Sequence, residues 1–63
     1  MCESTVFLEE KGTTKAVMQD VARIVMEGKN AVCTSVVGER LVVDNVRLKE
    51  ANFLSHGIVL TRD

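Results

Sequence analysis

The stretch AVCTSVV at residues 31–37, the pair Gly38-Glu39 and the return RLVV at residues 40–43 limit this fold more than any other part of the chain. Val32, Thr34, Val36 and Val37 are β-branched, a shape that loses rotamer freedom in a helix and packs well on a pleated surface. A short glycine-bearing turn between two such runs is the signature of a hairpin. A lone hairpin is marginal in water, so further strands must cover it.

The rest of the chain supplies them. Val6 and Leu8 alternate with Thr5, Phe7 and Glu9, which predicts a first strand from about Cys2 to Glu9, closed by the polar turn Lys11-Gly12-Thr13. Asp44-Asn45 breaks the RLVV run. From Val46 to Phe53 apolar Val46 and Leu48 alternate with Arg47 and Lys49, and Ser55-His56-Gly57 turns into a last strand at Ile58-Val59-Leu60. Short strands every eight to twelve residues suggest a small barrel or two packed sheets.

One segment reads two ways. In TKAVMQDVARIVMEGKN, Val17, Val21, Ile24 and Val25 fall at helical spacing, Thr14 stands where a cap would, and Gly28 where a helix-ending glycine would. The competing reading is two strands broken at Gln19-Asp20, the second running from Val21 to Glu27 into the turn Gly28-Lys29-Asn30. Local pattern favours the helix slightly.

At 63 residues the chain makes one small domain, spanning 1–63. A domain of this size buries only about 60% of the surface its unfolded chain exposes, and such domains often lean on a metal, a disulfide or a partner subunit. Eight basic residues against nine acidic ones give a net charge of −1, without the basic stripe of a typical nucleic-acid binder. No apolar run reaches the roughly 20 residues of a membrane span and no signal peptide is visible, so the chain reads as cytoplasmic. In a reducing compartment Cys2 and Cys33 are not expected to pair.

Cys2 is the residue with the most chemistry to offer. Taken alone it reads as a terminal thiol without a role. Read whole, however, the chain resembles the CooT family, small nickel-binding proteins that serve carbon monoxide dehydrogenase maturation. The resemblance rests on Met1-Cys2 with a strand directly after it and on the central Asp20, Val21, Val25, Glu27 and Gly28. The β run closed by Gly38-Glu39, the terminal Ile58-Val59-Leu60 strand and the overall length match as well. It implies an all-β fold, a small SH3-like barrel of about six to seven short antiparallel strands, and so strands for Thr14–Glu27. It also implies a symmetric homodimer with Ni(II) bound where two copies of Cys2 meet, and a role in nickel delivery or maturation of a nickel enzyme.

The chemistry suits that expectation. A thiolate is a soft ligand, and Ni(II) favours square-planar or tetragonal sites with nitrogen and sulfur donors. At position 2 the thiolate closes a five-membered chelate with its own backbone nitrogen. The Met1 amine adds a donor if that residue is retained, and the Glu3 amide nitrogen if it is removed. A two-fold axis through this point makes one cysteine per chain enough for a four-coordinate set. Nickel preference over copper, zinc or cobalt rests on the resemblance alone.

The remaining candidates read more plainly. Cys33 is expected to act as a small core hydrophobe and His56 as a solvated loop residue, able to add a nitrogen ligand only where its turn reaches the N-terminal site. Glu9-Glu10 reads as a solvated turn flank, and Met18 and Met26 as gap fillers. No nucleophile motif, phosphate loop or CxxC pair is present, so no enzyme is expected. Two other functions stand beside nickel binding. One is an RNA-binding barrel, which would need Arg23, Arg40, Arg47 and Lys49 gathered on one sheet face. The other is a ligand-free interaction module using a strand edge.

Overall fold

The computed structural model describes residues 3–62. Six strands follow one another: β1 (Ser4–Glu10), β2 (Thr13–Glu27), β3 (Asn30–Ser35), β4 (Arg40–Val43), β5 (Arg47–Asn52) and β6 (Gly57–Arg62), with no helix among the described residues. They form a single sheet in the order β4-β3-β2-β1-β6-β5. The all-β expectation holds.

Turn chemistry sets the first two hairpins. Lys11 and Gly12 have φ of 52° and 79°, the pair of positive values a type I′ turn requires, and they join Glu10 to its cross-strand partner Thr13. Gly28 at φ 63° opens the turn that joins Glu27 to Asn30.

The fourth connection does something different. Asp44, Asn45 and Val46 lead from β4 at one edge of the sheet to β5 at the other. A flat sheet of six strands would hold its edges about 24 Å apart, whereas the chain from Val43 to Arg47 reaches at most about 14 Å. The sheet must therefore curl until its edges approach, which gives barrel-like curvature without a ladder between β4 and β5. The connection also fails to reverse the chain. As a result β6 runs parallel to β1, in register from Thr5 opposite Gly57 to Glu10 opposite Arg62, while the other four pairings are antiparallel. The expectation of antiparallel strands throughout is corrected at this one pair.

The segment with two readings is one continuous 15-residue strand. Its helix-like spacing has a β explanation. From Ser4 to Val6 is two residues on β1, yet their partners Val21 and Met18 are three apart on β2. Likewise Ser35 and Thr34 are consecutive on β3, while their partners Val21 and Arg23 are not on β2. Each extra residue is a bulge, which shifts the inward-outward alternation by one. Met18, Val21 and Ile24 all join the core, three residues apart, as on a helix face. The bulges also bend β2, so that its first half pairs with β1 and its second half with β3. Strand pairing wins over the slight helical preference because it buries these positions from both neighbours.

The core inside the curl is built from Val6, Leu8, Val21, Ala31, Cys33, Val43, Val46 and Leu60. Val6, Cys33 and Leu60 are fully buried. Burying a side chain such as Leu60 is worth roughly 1.5–3 kcal/mol.

Candidate functional site

Cys2 and Met1, the proposed source of metal donors, lie outside the described residues. What the structure does give is the ground on which β1 begins. Ser4 stands opposite Val21 on one side and Thr5 opposite Gly57 on the other. The Thr5 amide donates to the His56 carbonyl at 2.9 Å. The last turn thus reaches Thr5 of the first strand, while the N-terminal site that His56 would have to reach as a ligand lies outside the described residues. The imidazole belongs to an exposed residue.

Two non-glycine residues with left-handed backbone flank this start. Asp20 on β2 has φ 57° and His56 ahead of β6 has φ 58°. Such conformations cost of order 1 kcal/mol and persist where the surroundings hold them. Asp20 is held at the bend of β2, where its carbonyl accepts the Val36 amide at 2.8 Å. His56 is held by Thr5.

Beside the same start the surface turns apolar. Ser4, Val21, Ala22, Arg23, Ile24 and Ile58 line an open depression of about 200 Å³. Ile24 and Ile58 also line a second one of about 190 Å³, with Met26, Leu48, Ala51 and Phe53. The two hollows share residues and make one strip running from the head of β1 to the end of β5. Phe53 is 80% exposed and Leu54 96% exposed. Sequence reading missed this patch. Its signal was a phenylalanine and a leucine side by side before a polar turn, with no partner strand to hide them.

Cys33 is buried in the core and makes no disulfide, as expected. Burial pushes its thiol pKa up, because the thiolate would lose its hydration. Met18 packs against the core, and Met26, 41% exposed, sits on the apolar strip. The glutamates have structural partners: Glu9 accepts from Lys49 Nζ at 2.6 Å, and Glu10 from Arg62 Nη1 at 3.5 Å. Among the described residues no group of three or more His, Cys, Asp or Glu side chains could hold a metal ion. No helix of the described residues is long and apolar enough to cross a membrane.

The basic residues divide. Arg23 and Arg40 stand in one row on β2 and β4, across Thr34 of β3. Arg47 and Lys49 belong to β5 at the other end of the sheet order, with Lys49 tied to Glu9. No ladder joins these two rows, because β4 and β5 do not pair.

Comparison with known proteins agrees with this architecture. The family model described as CO dehydrogenase accessory protein CooT matches residues 1–61. The crystal structure of a "putative CooT" from Carboxydothermus hydrogenoformans superposes with a TM-score of 0.86, covering 98% of each chain at 19% identity. At that identity the likeness carries the fold alone. No curated protein matches the chain.

Proposed function

This chain belongs to the CooT family of CO dehydrogenase accessory proteins, and we propose that it carries Ni(II) as cargo between two copies of itself. In this reading the Cys2 thiolate and neighbouring N-terminal backbone nitrogens of each copy provide the donors. The nickel is passed on to a nickel enzyme such as carbon monoxide dehydrogenase, or to its maturation factors, in the cytoplasm. The protein itself performs no catalysis.

The observation that carries the reading is the apolar strip beside the head of β1. Cys2 precedes Ser4 by two residues, and a chain spans at most about 3.6 Å per residue. A two-fold axis near the head of β1 would therefore bring two thiolates within reach of one ion and cover Ile24, Ile58, Met26, Leu48 and Phe53 with a second copy. Isologous contact and metal chelation then support one another: the ion ties the subunits, and subunit contact excludes water from the donors. Binding requires loss of the thiol proton, so affinity falls as pH falls.

A metal titration under reducing conditions, followed by intact-complex mass measurement, tests this. Wild type should bind one Ni(II) per two chains. The Cys2→Ser variant should lose that binding while remaining folded. Undiminished nickel affinity and stoichiometry in Cys2→Ser would sink the proposal.

A further inference from the structure

Arg23 on β2, Thr34 on β3 and Arg40 on β4 stand opposite one another across three adjacent strands. Directly opposed residues project from the same face with Cβ atoms about 5 Å apart, so the two arginine stems flank the threonine at about 10 Å from each other. This is the outer face, because Ile24, Cys33 and Leu41, the next row along, turn toward the core. The three residues line a shallow depression of about 350 Å³ with Val25, Glu27 and Val32. Neither arginine has an ion-pair partner among the described residues, whereas Lys49 and Arg62 are both engaged. Val25, Val32 and Val42 form a parallel apolar row two residues on, and Val42 is 55% exposed.

We propose that this face docks an acidic stretch of a partner protein, with one carboxylate held between Arg23 and Arg40 above the Thr34 hydroxyl. An adjacent apolar side chain of the partner rests on the valine row. Guanidinium groups present planar forks of donors that match carboxylate geometry, and the threonine hydroxyl adds a donor between them. The ends of the row define how much negative charge fits. Glu27 lines one end of the depression and Glu39 immediately precedes Arg40. These acids repel a continuous run of phosphates but leave room for one or two carboxylates. The row also holds no aromatic ring on which a base could stack. Arg23 also lines the hollow beside Ser4 and Ile24, so this face and the apolar strip meet at that residue, while Thr34 and Arg40 line only the docking depression. The proposal does not depend on nickel.

The test is an amide-resolved NMR titration of the full chain with an acetylated, amidated peptide Gly-Val-Glu-Glu-Val-Gly. Expected are shifts confined to residues 23–25, 32–34 and 40–42. The counterpart with glutamine in place of glutamate should bind about tenfold more weakly. An Arg23→Ala/Arg40→Ala variant should lose a similar factor with an unchanged melting temperature, and Arg40→Glu should lose more. The proposal is overturned if no shifts appear, or if they appear around Phe53 instead. It is equally overturned if inorganic phosphate reproduces them at the same concentration, or if a ten-nucleotide oligo-uridine binds this face more tightly than the peptide.

Discussion

Arg62 donates twice to the carbonyl oxygen of Asp44, through Nε at 3.0 Å and Nη2 at 2.7 Å, and Nη2 also reaches the Asp44 carboxylate at 3.1 Å. The end of β6 is thereby fastened to the connection that brings the two sheet edges together. Side-chain hydrogen bonds do here what a strand ladder does in a closed barrel. Arg62→Lys keeps the charge but loses the planar fork. Its expected cost is about 1–2 kcal/mol in urea denaturation. A change below about 0.3 kcal/mol would mean that the edges are held by the core alone.

Leu60 is fully buried and stands between Leu8 of β1 and Leu48 of β5. Leu60→Ala is expected to cost about 2–5 kcal/mol, comparable to the few kcal/mol that a core of this size supplies in total. The variant should therefore be largely unfolded at 37 °C by circular dichroism. Leu54→Ala, at a position 96% exposed, should change stability by less than about 0.5 kcal/mol.

Cys33 gives the molecule an alkaline limit. Its pKa in the fold is raised above the ordinary 9.0 by burial, so between the two values the unfolded chain has lost a proton that the folded chain keeps. Stability from this group is complete below pH 9 and falls as pH rises through that window. Cys33→Ala should flatten the decline in unfolding free energy measured from pH 8 to 10.5. The native thiol should also react with an aromatic disulfide reagent far more slowly at pH 7.5 than the same thiol in urea.

The first hairpin was legible because Lys11-Gly12 fixes its turn with neighbouring residues alone. The turn expected at Gly38-Glu39 also takes in Val36 and Val37, since β3 ends at Ser35, whose hydroxyl accepts from the Val37 and Glu39 amides. The second strand was not legible. Bulges placed Met18, Val21 and Ile24 at the spacing of a helix, and only their partners on β1 and β3, 9 to 17 residues away, reveal the difference. The parallel pairing of β1 with β6 was also hidden, since it depends on a connection that does not reverse. Cys2 could be singled out from its position and family resemblance. The strip at Met26, Leu48 and Phe53 was overlooked, because its one local signal, Phe53-Leu54 before a polar turn, does not say what fails to cover it.

Asp20 marks the bend of β2 with a backbone that most side chains avoid. Asp20→Val should destabilise the fold by about 1–2 kcal/mol, while Asp20→Gly should be close to neutral. Thermal melts of the two variants separate backbone conformation from the carboxylate: equal losses would assign the effect to the acid group.

Phe53→Glu tests the second copy. Placing a charge on the exposed apolar strip should shift the protein toward monomer in analytical ultracentrifugation and lower nickel uptake at fixed chain concentration. Monomer content and nickel uptake matching wild type would place subunit contact elsewhere.

The in-register run of β6 along β1 has a practical consequence for handling the molecule. Both strands travel the same way, so a chain leaving Arg62 departs beside Glu10 and the Lys11-Gly12 turn, about 20 Å from where β1 begins. Appended affinity handles, fluorophores or surface anchors therefore do different things at the two termini. Attached after β6 they project from the end remote from the head of β1, and attached before β1 they crowd it. Immobilising the protein through its carboxyl terminus presents the head of β1 outward.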